Sequence, residues 1–140
     1  MYNFIWRPSM SEVLVNKLTG TSTAGSILVT GEGNSTTTNL QQGLAKTWVN
    51  IDGTGTIAAR DSLNVGSLTD NGTGTYDINF TNNFGNINYC MVVGGFGGSG
   101  IGSNYDISTN TTAESNVRGF AGTAYSDADT LQCAALGDLA

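Results

Sequence analysis

The chain has 140 residues, which suits a single domain, and charged residues make up only 11% of it. Five basic and eleven acidic residues give a formal net charge of −6. Because the bases are scattered, they cannot follow a phosphate backbone, and nucleic acid is excluded as a partner. No apolar run reaches the roughly 18 residues of a membrane span, so we expect no membrane insertion.

The composition predicts an all-β protein. Gly, Ser, Thr and Asn take the place of charged residues, and these residues disfavour helices because they lose entropy or compete for backbone hydrogen bonds. Thr alternating with Val, Ile and aromatic residues suits the pleated surface of a sheet.

Residues 1–40 are predicted to form an extended N-terminal arm, because they contain too few apolar residues to build a core. Residues 12–18 (EVLVNKL) alternate polar and apolar side chains and indicate a first short strand. Residues 26–30 (SILVT) indicate a second strand, and residues 31–39 (GEGNSTTTN), without an apolar residue, are interpreted as a linker.

The first ten residues, MYNFIWRPSM, are not typical of a signal peptide. They are either an upstream start before Met10 or an anchor in which Phe4, Ile5 and Trp6 insert into a partner.

Residues 41–140 are assigned to one β-domain. Residues 44–51 (LAKTWVNI) carry apolar side chains on both faces, which is typical of a strand covered on both sides. Two similar segments follow, NIDGTGT at 50–56 and DNGTGT at 70–75, and each is predicted to join a pair of strands.

The second half of the β-domain begins with residues 87–93 (INYCMVV), the most apolar run, which predicts a central strand. Residues 94–102 (GGFGGSGIG) hold six glycines in nine positions and are interpreted as a mobile loop. Further strands are predicted at 105–108, 115–122 and 130–136. Short strands separated by turn signals indicate an antiparallel, jelly-roll-like β-sandwich with no helix longer than a turn or two.

The repeated Gly-Thr-Gly-Thr segments are interpreted as turns. A phosphate-binding loop needs a Lys and a following helix, and neither is indicated here. A calcium loop needs a convergent series of oxygen ligands, which these segments lack, whereas Asp or Asn opening a turn with Gly at positive φ needs no ion.

Catalytic chemistry is not expected. The sequence has no histidine, which removes the commonest general base and transition-metal ligand. The acids nearest each other, Asp127 and Asp129, lie in a turn-like stretch. We therefore predict a protein that is not an enzyme and has no cofactor and no metal. Cys90 and Cys133 are interpreted as buried free thiols, and pairing stays open if their strands are neighbours.

Most aromatic residues are interpreted as core, with a sugar-stacking platform as the alternative for Trp48 and the tyrosines. Phe96 and Tyr105 lie in or beside the glycine-rich loop, where an aromatic side chain adds contact area at low entropic cost. Together with Ile101 they are the candidates for receptor contact.

Residues 42–80 (QGLAKTWVNIDGTGTIAARDSLNVGSLTDNGTGTYDINF) closely resemble a module of tailed bacteriophages that recurs in tail fibres and other virion appendages. The later runs INYCMVVGG and LQCAALGD resemble its following and final strands more loosely. The resemblance implies a trimer-forming β-sandwich on a virion surface.

This resemblance leaves the role on the particle open. It implies a short fibre or adhesin-like subunit, assembled in the bacterial host cytoplasm, with other virion proteins and possible host-surface glycans as partners. A capsid-decorating or head-fibre protein is the alternative on the particle, and a free carbohydrate-binding module is the competing class.

Overall fold

The computed structural model describes residues 14–20, 27–31, 33, 35–96 and 103–140, and it describes the backbone alone for Phe96 and residues 103–106. Antiparallel sheets packed on one another dominate these residues, so the predicted all-β sandwich is confirmed.

Sheet I has four antiparallel strands. Their order across the sheet is β4 (Ala58–Leu63), β3 (Ala45–Asp52), β11 (Thr130–Leu136) and β7 (Cys90–Phe96). The two inner strands, β3 and β11, lie far apart in the chain and pair from Ile51 opposite Leu131 to Ala45 opposite Leu136.

Sheet II has five antiparallel strands. β5 (Val65–Asp70) pairs with β6 (Thr75–Phe80), β6 with β9 (Glu114–Ala121), and β9 with β8 (Ser103–Asn110) on its other side. The short β10 (Ala124–Tyr125) returns along the last residues of β9.

Ahead of the sandwich, β1 (Leu28–Thr30) and β2 (Thr37–Asn39) form a two-stranded ladder of their own. A single helical turn, α1 (Leu40–Gly43), follows and is capped by the Asn39 side chain, which accepts a hydrogen bond from the Gln42 N–H at 3.0 Å. The linker predicted for residues 31–39 is therefore wrong at its end, where β2 lies. Residues 14–20 belong to no helix or strand, so the strand predicted for 12–18 is not formed in its described part.

The core lies between the two sheets at the inward-facing positions of the strands. Every second residue is buried along β3, β6, β9 and β11, as the two-residue period of a strand requires. The buried apolar side chains are Val49, Ile51, Tyr76, Ile78, Phe80, Phe84, Tyr89, Met91, Val117, Ala128, Leu131, Cys133 and Ala135.

An aromatic cluster closes the end of the sandwich away from the two Gly-Thr-Gly-Thr segments. The rings of Phe84 and Tyr89 stack with centroids 4.1 Å apart, and Phe80 meets Phe84 edge-on at 5.1 Å. The Tyr89 hydroxyl lies 3.1 Å from the carbonyl oxygens of Thr111 and Glu114. Burial of Tyr89 and of Tyr76 confirms their prediction as core residues.

The most apolar run does not form the centre of a sheet. β7 lies at the edge of sheet I, so the prediction of a central strand is wrong. Gly94 and Gly95, predicted to be loop, extend β7, where they pair with Gln132 and Leu131 of β11. Backbone ladder bonds hold these glycines in the strand although they have no side chain to pack.

Candidate interaction surfaces

The two Gly-Thr-Gly-Thr segments connect paired strands, which confirms their prediction as turns. The Asp52 carboxylate accepts a hydrogen bond from the Thr54 N–H at 3.0 Å, and the Asp70 carboxylate accepts one from the Gly72 N–H at 2.9 Å. The φ angles of Gly55, Gly72 and Gly74 are +65°, +113° and +66°.

The two segments are not equivalent in three dimensions. A Cβ atom on Gly53 would collide with the Tyr76 ring, 2.7 Å from Cζ, whereas one on Gly55 would meet nothing within 4 Å. In the second segment the second glycine is the crowded one. A Cβ on Gly72 would meet nothing within 4 Å, whereas a Cβ on Gly74 would lie 2.6 Å from the Gly119 carbonyl oxygen.

The carboxylates at this end of the sandwich hold the turns in place. One oxygen of Asp127 accepts from the Gly74 N–H at 2.7 Å and lies 3.0 Å from the Tyr76 hydroxyl. Burial and this carboxylate raise the pKa of Tyr76 well above its usual value. Asp127 therefore has a structural role in the described contacts.

Two further carboxylates flank Arg60, whose guanidinium lies 2.8 Å from Asp52 and 3.2 Å from Asp129. The Thr54 hydroxyl and N–H, more than Arg60, hold the pKa of Asp52 below its usual range. Among the described residues no group of three or more carboxylates, cysteines or histidines is placed to hold a metal ion.

An apolar row crosses the outer face of sheet I. Antiparallel pairing places Leu63 opposite Trp48, Trp48 opposite Ala134, and Ala134 opposite Val92. Directly opposite residues share one face of a sheet, and this face points away from the core. Trp48 is 36% exposed, Leu63 47% and Val92 59%. We call this row of four residues the Trp48 face.

The row itself carries no charge. The next row along the strands contains Asp61, Asn50, Gln132 and Gly94, in that order across the sheet. An open groove of about 430 Å³ lies over Trp48, Val92 and Gln132. At its floor the Asn50 side-chain oxygen is buried and has no hydrogen-bond donor among the described residues.

The outer face of sheet II differs from the Trp48 face in being polar. The Asn116 amide donates to Asp77 at 2.6 Å, and the Arg118 guanidinium donates to the Tyr125 hydroxyl at 2.9 Å. Tyr125 also packs against Phe120, with ring centroids 4.9 Å apart. Tyr125 is 49% exposed, so its prediction as a core residue is wrong.

The two cysteines are free, and they differ in environment. Cys133 is buried and burial raises the pKa of its thiol to about 12, whereas Cys90 is exposed at the start of β7. Cys90 pairs with Leu136 and Cys133 with Val93, so the two lie on neighbouring strands but not opposite each other. The prediction of a buried thiol is confirmed for Cys133 and wrong for Cys90.

The residues predicted to contact a receptor are only partly described. Phe96, predicted to lie in the loop, ends β7 opposite Thr130. Tyr105 lies in β8 opposite Gly119, in agreement with the strand predicted at 105–108. Ile101 lies outside the described residues. The residues predicted for attachment, Phe4, Ile5 and Trp6, also lie outside the described residues.

Trp48 was interpreted as a core residue, and this prediction is wrong because 36% of it is exposed. The row to which it belongs was also missed. The signal was present in residues 44–51, because apolar side chains on both faces predicted a strand covered on both sides. One side is covered by the core, and the Trp48 side remains exposed in a single chain. The partners Leu63, Val92 and Ala134 depend on strand order, which no local pattern supplies.

Searches with this chain found no matching protein-family model, no matching curated protein and no matching solved structure. No helix in the described part of the chain is long and apolar enough to cross a membrane.

Proposed function

We propose that the protein is a structural subunit of a bacteriophage virion, a short fibre or adhesin-like appendage that assembles with copies of itself through the Trp48 face. The resemblance of residues 42–80 to the phage module supports the class of protein. The exposed apolar row on sheet I supports self-assembly.

The observation that carries the proposal is the contrast between the apolar Trp48 face and the polar outer face of sheet II. Contiguous exposed apolar side chains mark surfaces that associate, and interfaces between identical subunits are more apolar than the average surface. Two chains that each carry a net charge of −6 repel each other, and this repulsion is weakest where a neutral surface meets its copy. Val92, Trp48 and Leu63 provide such a neutral surface.

The remaining parts of the proposal follow from the resemblance. It implies a homotrimer on the virion, assembled in the host cytoplasm, with residues 1–40 attaching it to other virion proteins. A head fibre or capsid-decorating protein is the alternative position on the particle. The proposal assigns no catalysis, and immuno-electron microscopy of particles with antibodies against the chain tests the location.

Sedimentation equilibrium of the full chain tests the assembly surface. Val92→Lys places a charge on the most exposed side chain of the Trp48 face. We expect association to weaken by about 10- to 100-fold, because burial of a Val contributes about 1.5–3 kcal/mol and the lysine must also be desolvated.

Thr109→Lys is the matched control. Thr109 is an exposed, β-branched residue on β8, an edge strand of sheet II, and the substitution changes the net charge by the same amount. Equal molecular masses for Val92→Lys and wild type would contradict the proposed surface, as would equal weakening by the two lysine variants.

A free carbohydrate-binding module is the second candidate, favoured by the Trp48 ring beside the Gln132 amide in the open groove. Sugar rings stack on exposed aromatic faces while amides bond their hydroxyls. Glycan-array binding that Trp48→Ala abolishes, in a chain that stays monomeric at all concentrations, would favour this candidate over the virion subunit.

A further inference from the structure

The sandwich has an open side between two edge strands. β4 pairs only with β3, and β5 only with β6, among the described residues, so the facing edges of β4 and β5 have no strand partner. A groove of about 260 Å³ separates them. Ile57, Val65 and Leu68 line this groove and also pack against the core, so the core is only partly covered here.

Of the two edges, β5 is the less protected. Edge strands are usually blocked by charges, proline or a bulge near the free edge, because unpaired N–H and C=O groups bind other strands. Both strands carry a register shift, at Arg60 of β4 and between Val65 and Ser67 of β5, so charge is what distinguishes them. β4 carries Arg60 and Asp61 in its middle, whereas the only charge of β5 is its last residue, Asp70. Val65 and Leu68 of β5 pair with Phe80 and Ile78 and share their inward direction.

The same chain contains an unpaired segment of strand-like sequence. Residues 14–18 (LVNKL) belong to the segment 12–18 for which a strand was predicted, yet they lie in no sheet. Their apolar side chains are exposed, at 82% for Leu14, 58% for Val15 and 57% for Leu18. Because these side chains are exposed, the segment does not fill the open side of its own sandwich.

Size and charge match the segment to the open side. Five extended residues span about 17 Å, close to the roughly 20 Å of the six-residue β5. In an extended strand Leu14, Asn16 and Leu18 share one face, so the segment presents two apolar side chains toward Val65 and Leu68 with the Asn16 amide between them. Its one charge is Lys17. The strands that border the groove carry Asp61 and Asp70, and their one base, Arg60, is paired with Asp52 and Asp129.

We infer that residues 14–18 of a second copy of the chain add as an extra strand to the free edge of β5 and cover the open side of the sandwich. Backbone hydrogen bonds to β5 supply affinity, and Leu14 and Leu18 packing on Val65 and Leu68 supply register. The inference rests on the proposed self-assembly and names the contact that links one subunit to the next.

Cysteine cross-linking in the full chain tests this contact. Val15→Cys and Ser67→Cys are made separately in a Cys90→Ser background, in which the remaining Cys133 is buried. Both positions face outward if Leu14 and Leu18 face the core. The two variants are co-expressed with different tags and treated with a bismaleimide linker.

We expect a Val15→Cys/Ser67→Cys heterodimer at least about tenfold above the control, because docking raises the local concentration from micromolar to millimolar. The control partner is Thr123→Cys, an exposed position beyond the end of β9. Adding Leu14→Ser and Leu18→Ser to the Val15→Cys chain should return the yield to that of the control.

A yield equal to the Thr123→Cys control would overturn the inference. So would cross-linking confined to single chains in a Val15→Cys/Ser67→Cys double variant, since the segment would then occupy its own edge. In either case, if Val92→Lys still weakens the association of the chain, the Trp48 face remains supported as the assembly surface. If the cross-linking is specific but Val92→Lys leaves the molecular mass in sedimentation equilibrium unchanged, the Trp48 face is not the assembly surface and the strand contact stands.

Discussion

At the scale of single residues, two identical Gly-Thr-Gly-Thr segments impose different requirements. Gly55 and Gly74 both have a positive φ, near +65°, which any residue with a Cβ adopts only at a cost. Gly55 has open space beside it, whereas Gly74 lies against the backbone of Gly119 and Ser126. Backbone atoms cannot move aside as a flexible side chain can.

The paired substitutions Gly55→Ala and Gly74→Ala separate backbone strain from crowding. Gly55→Ala should lower the free energy of unfolding by about 1–2 kcal/mol, the cost of a left-handed alanine. Gly74→Ala should lower it by about 1–3 kcal/mol more, because the new methyl group overlaps backbone atoms. Urea unfolding followed by tryptophan fluorescence measures both, and equal losses would mean that the Gly74 turn relaxes.

The sequence predicted these turns correctly, but it could not show which of their glycines have room for a Cβ atom. Asp52-Gly53 and Asp70-Asn71-Gly72 are local turn signals, so the sequence was sufficient to predict both turns. The crowding at Gly53 and Gly74 comes from Tyr76 and Ser126, which fold back onto the turns from other parts of the chain.

At the scale of the elements, Asn64 separates β4 and β5, two strands with no other residue between them. Its φ of 60° turns the chain, so that β4 enters sheet I and β5 enters sheet II. Its side chain fixes the corner, because the amide donates to the Thr47 hydroxyl at 3.1 Å and the oxygen accepts from the Asn82 N–H at 2.7 Å.

Replacing Asn64 with Gly and with Ala tests this corner. Asn64→Gly keeps the backbone conformation and loses the side-chain bonds, and should cost about 1–3 kcal/mol of unfolding free energy. Asn64→Ala should cost about 1 kcal/mol more, since alanine also bears the left-handed strain. If chemical denaturation gives the two variants equal stability, the corner does not hold its φ without the side chain.

Strand order explains the errors made at this scale. Residues 62–69 (SLNVGSLT) contain no proline and no Asn-Gly pair at the corner, so no local signal marked the break at Asn64. The run at β7 was placed in the centre because it is apolar throughout, yet Val92 faces outward on an edge strand. The proposed subunit contact gives a reason for that outward apolar side chain.

At the scale of the whole molecule, the net charge of −6 opposes every association of the chain with itself. The proposed Trp48 face is neutral, so its attraction is apolar and independent of salt to first order. Raising the salt concentration therefore reduces the repulsion between subunits while leaving their attraction in place.

Self-association should accordingly strengthen by about three- to tenfold as the NaCl concentration rises from about 10 mM to about 150 mM, where the Debye length falls from about 30 to about 8 Å. Sedimentation equilibrium at several salt concentrations measures this dependence. Association that weakens with salt would show that ionic contacts, rather than the neutral face, hold the subunits together.

The pairing of β3 with β11 has a consequence for folding during synthesis on the ribosome. About 80 residues separate the two inner strands of sheet I, so that sheet cannot close until residue 136 has left the exit tunnel. At about 5–20 residues per second, the edge of β3 that pairs with β11 stays open for several seconds, although β4 is already available to Trp48 and Val49 on the other edge. Translation speed, as much as native stability, is therefore expected to set how much chain folds rather than aggregates.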